Sequence, residues 1–236
     1  MENRVANHIL RGFLVSILLI GGSCVSGYSQ IALPSFDTDF QLWNETQFIV
    51  PLTKKKDWNF IFSVVGRFGN NVSTVTDARV GGVISKKINK YVTLSGGYLY
   101  QYSNPTFIRK RYGSRFYGTA TFTVPLGKKF TLVNRDQVQY EDRYSRPNSF
   151  VLRPRIWIKR EVTIGKIVIE PFFSWEPFYD TLVKKVVRHR EQVGFSHKFS
   201  PKFSVDFYYV RQDETLIHTP AGTLNGIGTN FKVTVR

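Results

Sequence analysis

The stretch RYGSRFYGTATFTV, residues 111–124, consists of two interleaved sets of side chains. Every second residue from Tyr112 to Val124 is apolar or small, whereas the intervening residues, from Arg111 to Thr123, are mostly polar. Because the side chains of a strand alternate between its two faces, this pattern predicts a β-strand with one apolar and one polar face.

The same alternation recurs along the chain from Phe40 to the last residue, and no segment has a helical period. The chain is therefore predicted to be nearly all strand. Eleven segments are visible, and they cover residues 39–50, 58–69, 75–85, 91–102, 111–124, 130–143, 149–162, 166–178, 186–198, 202–212 and 223–235.

The connections between these segments differ in length. Short turns with lysine, such as KKINK and SPK, alternate with longer polar connections, such as SNPTFIRK and DETLIHTPAG. Short periplasmic turns and longer extracellular loops are typical of outer-membrane barrels, whose tilted strands cross the bilayer in about 9 to 11 residues. We therefore predict an all-β fold, an antiparallel transmembrane β-barrel of about 10 to 12 strands. The alternative is a soluble β-sandwich with the apolar face as its core.

Three details of this barrel follow from general rules. Single-chain bacterial barrels have even strand numbers, so eleven segments imply that one strand is split, that one is missing from the prediction, or that residues 31–38 have a role other than the one assigned. Pro154 and Pro171 each remove a ladder donor, so we expect bulges there. The apolar face is predicted to contact lipid through Trp58, Phe60, Phe62, Val64, Phe68, Val92, Leu94, Tyr98, Tyr100, Ile167, Ile169, Phe173, Trp175, Phe203, Val205, Phe207 and Tyr209.

The N-terminal region has the layout of a secretory signal peptide. Two arginines, Arg4 and Arg11, precede an apolar run and then small residues, which predicts a signal peptide over 1–29. Residues 30–38 would form an N-terminal segment and residues 39–236 the barrel. Cys24, the only cysteine, lies in the predicted signal peptide, so we expect no disulfide or thiol chemistry in the exported protein. The alternative is a lipoprotein with Cys24 as its lipidated residue. The predicted location is the bacterial outer membrane.

The chain is strongly basic, with a formal net charge of +16. Such a charge favours anionic partners. We expect contacts with outer-membrane lipid and lipopolysaccharide and possible contacts with small anionic solutes, but no nucleic-acid partner, and we expect a monomer.

The polar face collects charged residues of both signs. Following the alternation inward, we predict a lumen lined by Glu45, Arg67, Asp77, Arg79, Arg115, Arg135, Glu141, Arg143, Arg153, Arg155, Glu170, Glu176, Arg188, Arg190 and Asp206. Unpaired arginines would line a channel that favours anions, with Arg115, Arg135, Arg153 and Arg155 as selectivity candidates. Alternatively, the pairs are structural and fill a closed lumen.

Several of these segments resemble a known family. The similarity to the barrel proteins grouped as domain of unknown function 2490 lies in LWNETQFIVPL, WNFIFSVVGRF, VNRDQVQYEDRY, FVLRPRIWIKR, IEPFFSWEPFYD and RHREQVGFSHKFSPKFSVDFYYVRQDE. The resemblance implies an exported outer-membrane barrel without an assigned activity. The features it carries over are Trp43, Glu45, Arg67, Arg135, Glu141, Arg143, Glu176, Arg190 and Gly194.

No catalytic, cofactor or metal site is predicted. Ser196 and His197 are adjacent and would point to opposite faces of a strand, which disfavours a nucleophile and base pair. The histidines lack an interleaved carboxylate cluster of metal-ligand spacing. The leading hypothesis is a narrow porin-like channel for small anionic or polar solutes. The alternatives are a closed structural or interaction barrel with partner-binding or polysaccharide-binding loops and, third, a lipid-modifying enzyme.

Overall fold

The computed structural model describes residues 38–104, 110–143, 147–215 and 222–235. The predicted signal peptide lies outside the described residues, as does the predicted N-terminal segment except Thr38. Within the described part there is no helix long and apolar enough to cross a membrane. The strands are β1 (Asp39–Pro51), β2 (Trp58–Gly69), β3 (Thr74–Lys87), β4 (Val92–Ser103), β5 (Arg111–Gly127), β6 (Phe130–Arg143), β7 (Ser149–Arg160), β8 (Val162–Ile164), β9 (Ile167–Asp180), β10 (Lys185–Ser200), β11 (Phe203–Glu214) and β12 (Thr223–Thr234).

Eleven of these strands close into a barrel, which confirms the predicted all-β barrel and its range of strand numbers. Neighbours along the chain pair in order from β1 to β7, then β7 with β9, and onward to β12, which pairs with β1. The short β8 pairs with the first residues of β9. Of its three residues, only Val162 lay in a predicted strand, 149–162. Closure pairs each of the eleven barrel strands on both sides, so the barrel wall has no open edge.

The odd strand number has a simple geometric consequence. Antiparallel neighbours alternate in direction, so a ring of eleven strands must contain one parallel pair. That pair is β1 and β12, in register from Asp39 with Leu224 to Ile49 with Thr234. The expected even number was therefore wrong, and no barrel strand was missed. Because β1 and β12 run in the same direction, Thr38 and Val235 lie at opposite ends of the barrel.

The two ends of the barrel carry different connections. One end, the turn end, has connections 52–57, 88–91, 128–129, 165–166 and 201–202; the other, the loop end, has 70–73, 104–110, 144–148, 181–184 and 215–222. The longest connections, 104–110 and 215–222, are at the loop end as the sequence predicts, although 52–57 exceeds 70–73.

In the first turn Thr53 donates a hydrogen bond to Asp57, which lowers the pKa of that carboxyl.

The predicted alternation holds around the wall. Large apolar side chains on the outward rows are exposed, including Phe60, Phe62 and Phe116 at 38, 39 and 51%. Val205 is an exception, since it belongs to an outward row but is only 1% exposed. It is paired with His197 and Phe231, and these larger neighbours flank it.

The expected bulges at Pro154 and Pro171 are absent from the described strands. Both prolines keep the register of a pairing strand, Pro154 opposite Asp136 and Pro171 opposite Phe195. The β7–β9 ladder instead lacks pairs between Leu152 and Ile156, where the register places Pro154 opposite Pro177. A proline without an N–H can thus interrupt a ladder without inserting an extra residue. The register shifts occur elsewhere, between residues 67 and 68, 125 and 127, 186 and 188, and 198 and 200.

Candidate functional site: the barrel lumen

The centre of the lumen is a single buried carboxylate that contacts four arginines. Glu176 on β9 is 0% exposed. Its oxygens lie 2.8 Å from Arg135 Nη2, 2.9 Å from Arg153 Nη2, 2.6 Å from Arg155 Nη2 and 3.3 Å from Arg190 Nη1. Arginine suits this arrangement because its planar guanidinium stays charged and offers several donors.

From Arg190 the contacts continue across the lumen through an aromatic ring. The Arg190 Cζ atom lies 4.8 Å from the centroid of Trp43, and the Arg67 Cζ atom lies 3.7 Å from the same ring. Arg67 Nη1 is 3.4 Å from Asp77 Oδ2, and Arg79 also pairs with Asp77. Trp43, which is 3% exposed, therefore joins two cationic side chains by cation–π contacts.

In the opposite direction the contacts run through an amide to a second carboxylate. Arg153 Nη1 donates to Gln139 Oε1 at 2.8 Å, and Gln139 Nε2 donates to Glu141 Oε1 at 2.5 Å. Glu141 Oε1 also lies 3.4 Å from Arg115 Nη2. We call the connected side chains the ion-pair layer: Arg79, Asp77, Arg67, Trp43, Arg190, Glu176, Arg135, Arg155, Arg153, Gln139, Glu141 and Arg115. It joins eight strands, β1, β2, β3, β5, β6, β7, β9 and β10.

Further ion pairs lie on the loop side of this layer. Arg143 Nη2 is 2.6 Å from Glu141 Oε2 and 3.1 Å from Asp180 Oδ2. Arg188 Nη2 is 2.7 Å from Glu214 Oε1. Asp180 and Glu214 were not among the predicted lumen residues, although each occupies an inward position at the end of its strand.

A cavity of about 270 Å³ occupies the turn half of the lumen. We call it the turn-side cavity. It is lined by Trp43, Glu45, Gln47, Arg67, Arg135, Arg155, Trp157, Lys159, Phe172, Arg190, Gln192, Ser196, Asp206, Tyr208, Asn230 and Lys232. A smaller cavity of about 50 Å³ lies at the loop end, beside Arg111, Arg115 and Arg143, and shares no lining residue with the first.

The turn-side cavity carries an excess of positive charge. Six lysines and arginines line it, against the carboxylates of Glu45 and Asp206. Asp206 Oδ2 already lies 2.7 Å from Lys232 Nζ, and Glu45 accepts hydrogen bonds from Gln47 and Ser63. Of the other cations, Arg135, Arg155 and Arg190 share the carboxylate of Glu176, and Arg67 pairs with Asp77. The six cationic groups therefore stand against four carboxylates, and this net positive charge favours anions.

Tight packing on one wall requires glycine. A Cβ atom at Gly228 would lie 2.2 Å from Tyr208 Cζ, so the Tyr208 ring can lie across β12 only because residue 228 has no side chain. A Cβ atom at Gly194 would lie 2.1 Å from the Phe207 carbonyl oxygen. These glycines therefore permit close approach at the cavity wall.

All fifteen predicted lumen residues lie on inward positions of their strands. Fourteen take part in the ion pairs or hydrogen bonds described above, whereas Glu170 is exposed and has no ion-pair partner within the described residues. The predicted lumen set omits Lys159 and Lys232, although both lie within predicted strands, 149–162 and 223–235. The alternation of side chains along β7 and β12, which places both lysines on inward rows, would have identified them.

The outward histidines do not form a reactive pair with Ser196. His189 stacks on Trp175, and His197 has its Nδ1 2.8 Å from the Val168 carbonyl oxygen, whereas Ser196 lines the cavity. Among the described residues, no group of three or more His, Cys, Asp or Glu side chains is placed to hold a metal ion.

Comparison with known proteins identifies a family without an assigned function. The model of the family described as protein of unknown function (DUF2490) matches residues 40–221, so the chain belongs to this family. No curated protein and no solved structure matches the chain. The site must therefore be interpreted from its own geometry.

Proposed function

We propose that this protein is a bacterial outer-membrane barrel that forms a narrow channel for small anionic or polar solutes, with no enzymatic activity. The turn-side cavity carries this proposal, because six cationic side chains line it against two carboxylates. A lumen lined by excess arginine and lysine favours anions over cations.

The ion-pair layer is the narrow part of the proposed path. Four arginines share the one carboxylate of Glu176, so their guanidinium groups keep N–H donors beyond those that Glu176 accepts. An anion that enters from the turn-side cavity takes the place of the Glu176 carboxylate as the acceptor of hydrogen bonds from these guanidinium groups. Of the selectivity candidates, Arg135 and Arg155 line the turn-side cavity, Arg115 lines the loop-end cavity and Arg153 lies in the layer between them.

The outward rows support a membrane location. Exposed apolar side chains occur on strands all around the barrel, among them Leu94, Val138, Phe173, Val193 and Ile227. An apolar surface of this extent is unfavourable in water but suits the lipid-facing band of a membrane barrel. The net charge of +16 fits contacts with the phosphates of lipopolysaccharide, and we propose a monomer because closure leaves no sheet edge for a partner strand.

Uptake into proteoliposomes tests this function. Vesicles that contain the folded protein should take up glucuronate faster than empty vesicles, and faster than they take up a cation of similar size. The double variant Arg135→Gln, Arg155→Gln should lose this preference. Lys129→Gln, at an exposed turn residue that pairs with Glu161, is the matched control and should behave like the parent.

A closed structural or interaction barrel is the second candidate. It is favoured by the continuity of the ion-pair layer, whose side chains contact one another from Arg79 to Arg115. In that case the loop-end connections 181–184 and 215–222, together with the strand ends beside them (179–188 and 211–222 in all), would contact a partner or a surface polysaccharide. Equal uptake by protein-containing and empty vesicles, with folding and insertion verified, would contradict the channel and favour this candidate.

A further inference from the structure

We infer that the turn-side cavity is a saturable binding site for a small organic oxyanion, of about the size of a sugar acid. The inference deepens the proposed function and rests on its anionic solute class, but binding at this site does not require passage through the ion-pair layer. The two ideas can therefore fail separately.

Two guanidinium groups form the proposed anchor. Arg135 and Arg155 are directly paired across β6 and β7. Each donates one Nη2 to Glu176, to Oε1 at 2.8 Å and Oε2 at 2.6 Å respectively. Their Cζ atoms lie 5.2 and 4.7 Å from the centroid of Trp157. Both cations are thus held in place before a ligand arrives, which reduces the entropy cost of binding.

The anchor keeps part of its surface open to the cavity. The side chains of Arg135 and Arg155 are 24% and 12% exposed, and both line the cavity. Arg153, at 9%, contacts the same carboxylate but does not line the cavity. Arginine recognises carboxylate and phosphate groups through paired donors. Arg135 and Arg155 therefore present an oxyanion site, whereas Arg153 is committed to Glu176 and Gln139.

The remaining wall suits a hydroxylated ligand. Ser196, Gln192, Asn230 and Tyr208 supply hydroxyl and amide groups, which can both donate and accept hydrogen bonds. Lys159 adds a cation toward the turn end, on the same inward row of β7 as Arg155. A molecule with one anionic group and several hydroxyls would satisfy both parts of the cavity.

The cavity volume limits the ligand to a small molecule. About 270 Å³ is close to the lower end of the volumes of small-molecule sites, about 300 Å³. A monosaccharide acid or a short phosphate ester fits this limit, while an oligosaccharide does not.

Calorimetric titration of the folded protein in detergent at low salt tests the site. The probes are glucuronate, glycerol phosphate and glucose, the last as the neutral control. Glucuronate or glycerol phosphate should bind saturably, and glucose should not. Binding of only one of the two anions would show whether the site takes a carboxylate or a phosphate. Arg155→Gln and, separately, Lys159→Gln should weaken binding about tenfold.

Lys129→Gln is the control for a lost surface charge and should bind like the parent. Lys159→Gln keeps the test valid if Arg155→Gln does not fold, because Lys159 lies outside the ion-pair layer whose arginines contact Glu176. No saturable binding of either anion, equal binding of glucose, or unchanged affinity in Lys159→Gln would overturn the site. Binding without uptake into vesicles would contradict the channel only.

Discussion

Arg190 and Glu176 face each other on β10 and β9, and the guanidinium Nη1 lies 3.3 Å from the carboxylate. The pair joins two parts of the lumen, because Arg190 also contacts Trp43 on the first strand of the barrel. Since the same carboxylate neutralises three further arginines, the charge balance at the centre of the barrel depends on one side chain.

Removing that charge is expected to destabilise the barrel. In Glu176→Gln the four arginines around the fully buried residue 176 lose their shared counter-charge. Breaking a buried pair in this way costs about 3 to 5 kcal/mol. Urea unfolding in detergent, followed by tryptophan fluorescence, measures the free energy of unfolding. Glu161→Gln, which removes an exposed turn carboxylate, should change it little. Equal stability of the two variants would show that Glu176 does not hold the layer together.

Together with the proposed membrane location, the parallel closure of β1 and β12 predicts that the two ends of the described chain lie on opposite sides of the membrane. In a Cys24→Ser background, Thr38→Cys should react with a membrane-impermeant maleimide added to intact cells, and Val235→Cys should react only after the outer membrane is opened. Labelling of both introduced cysteines from the same side would contradict the parallel pair of β1 and β12 and indicate an even number of spanning strands.

Close packing at β10 predicts a different response at two glycines. Gly194→Ala should lower the thermal stability, because its Cβ would lie 2.1 Å from the Phe207 carbonyl oxygen. Gly118→Ala is the matched control, since a Cβ there meets nothing within 4 Å. It should be neutral or slightly stabilising. A similar loss in both variants would show that the packing at Gly194 is not the cause.

The proposed membrane location predicts a cost for charge on the outward face. Val138, 49% exposed near the middle of β6, would contact the centre of the bilayer. Val138→Arg should destabilise the protein in lipid vesicles by about 2 to 4 kcal/mol, whereas Leu126→Arg near the turn end should cost about 0 to 1 kcal/mol. Folding titrations in vesicles measure both. A negligible cost at Val138 would argue against a lipid-facing position.

Much of this fold follows from local pattern, because the alternation of inward and outward side chains can be found from the sequence of each strand alone. It placed Arg135, Arg153, Arg155 and Glu176 on inward rows and located the barrel strands. It did not reveal which residues meet. Arg135 and Glu176 are 41 residues apart, and their contact depends on the register of three strands.

Other features depend on closure or on neighbouring strands. The parallel pair arises only when β12 meets β1, so no single segment signals it. Burial of Val205 depends on the bulk of His197 and Phe231 beside it. On β6 the outward row also contains Asn134, which donates to Asp136 at 2.9 Å, a polar pair that the apolar pattern did not predict.

The most direct test of an anion-favouring lumen is the reversal potential of single channels in a planar bilayer across a potassium chloride gradient. We predict discrete conductance steps whose reversal potential shifts toward the chloride equilibrium potential, and a smaller shift in the double variant Arg135→Gln, Arg155→Gln. A silent bilayer with verified insertion, or a reversal potential near that of potassium, would contradict it.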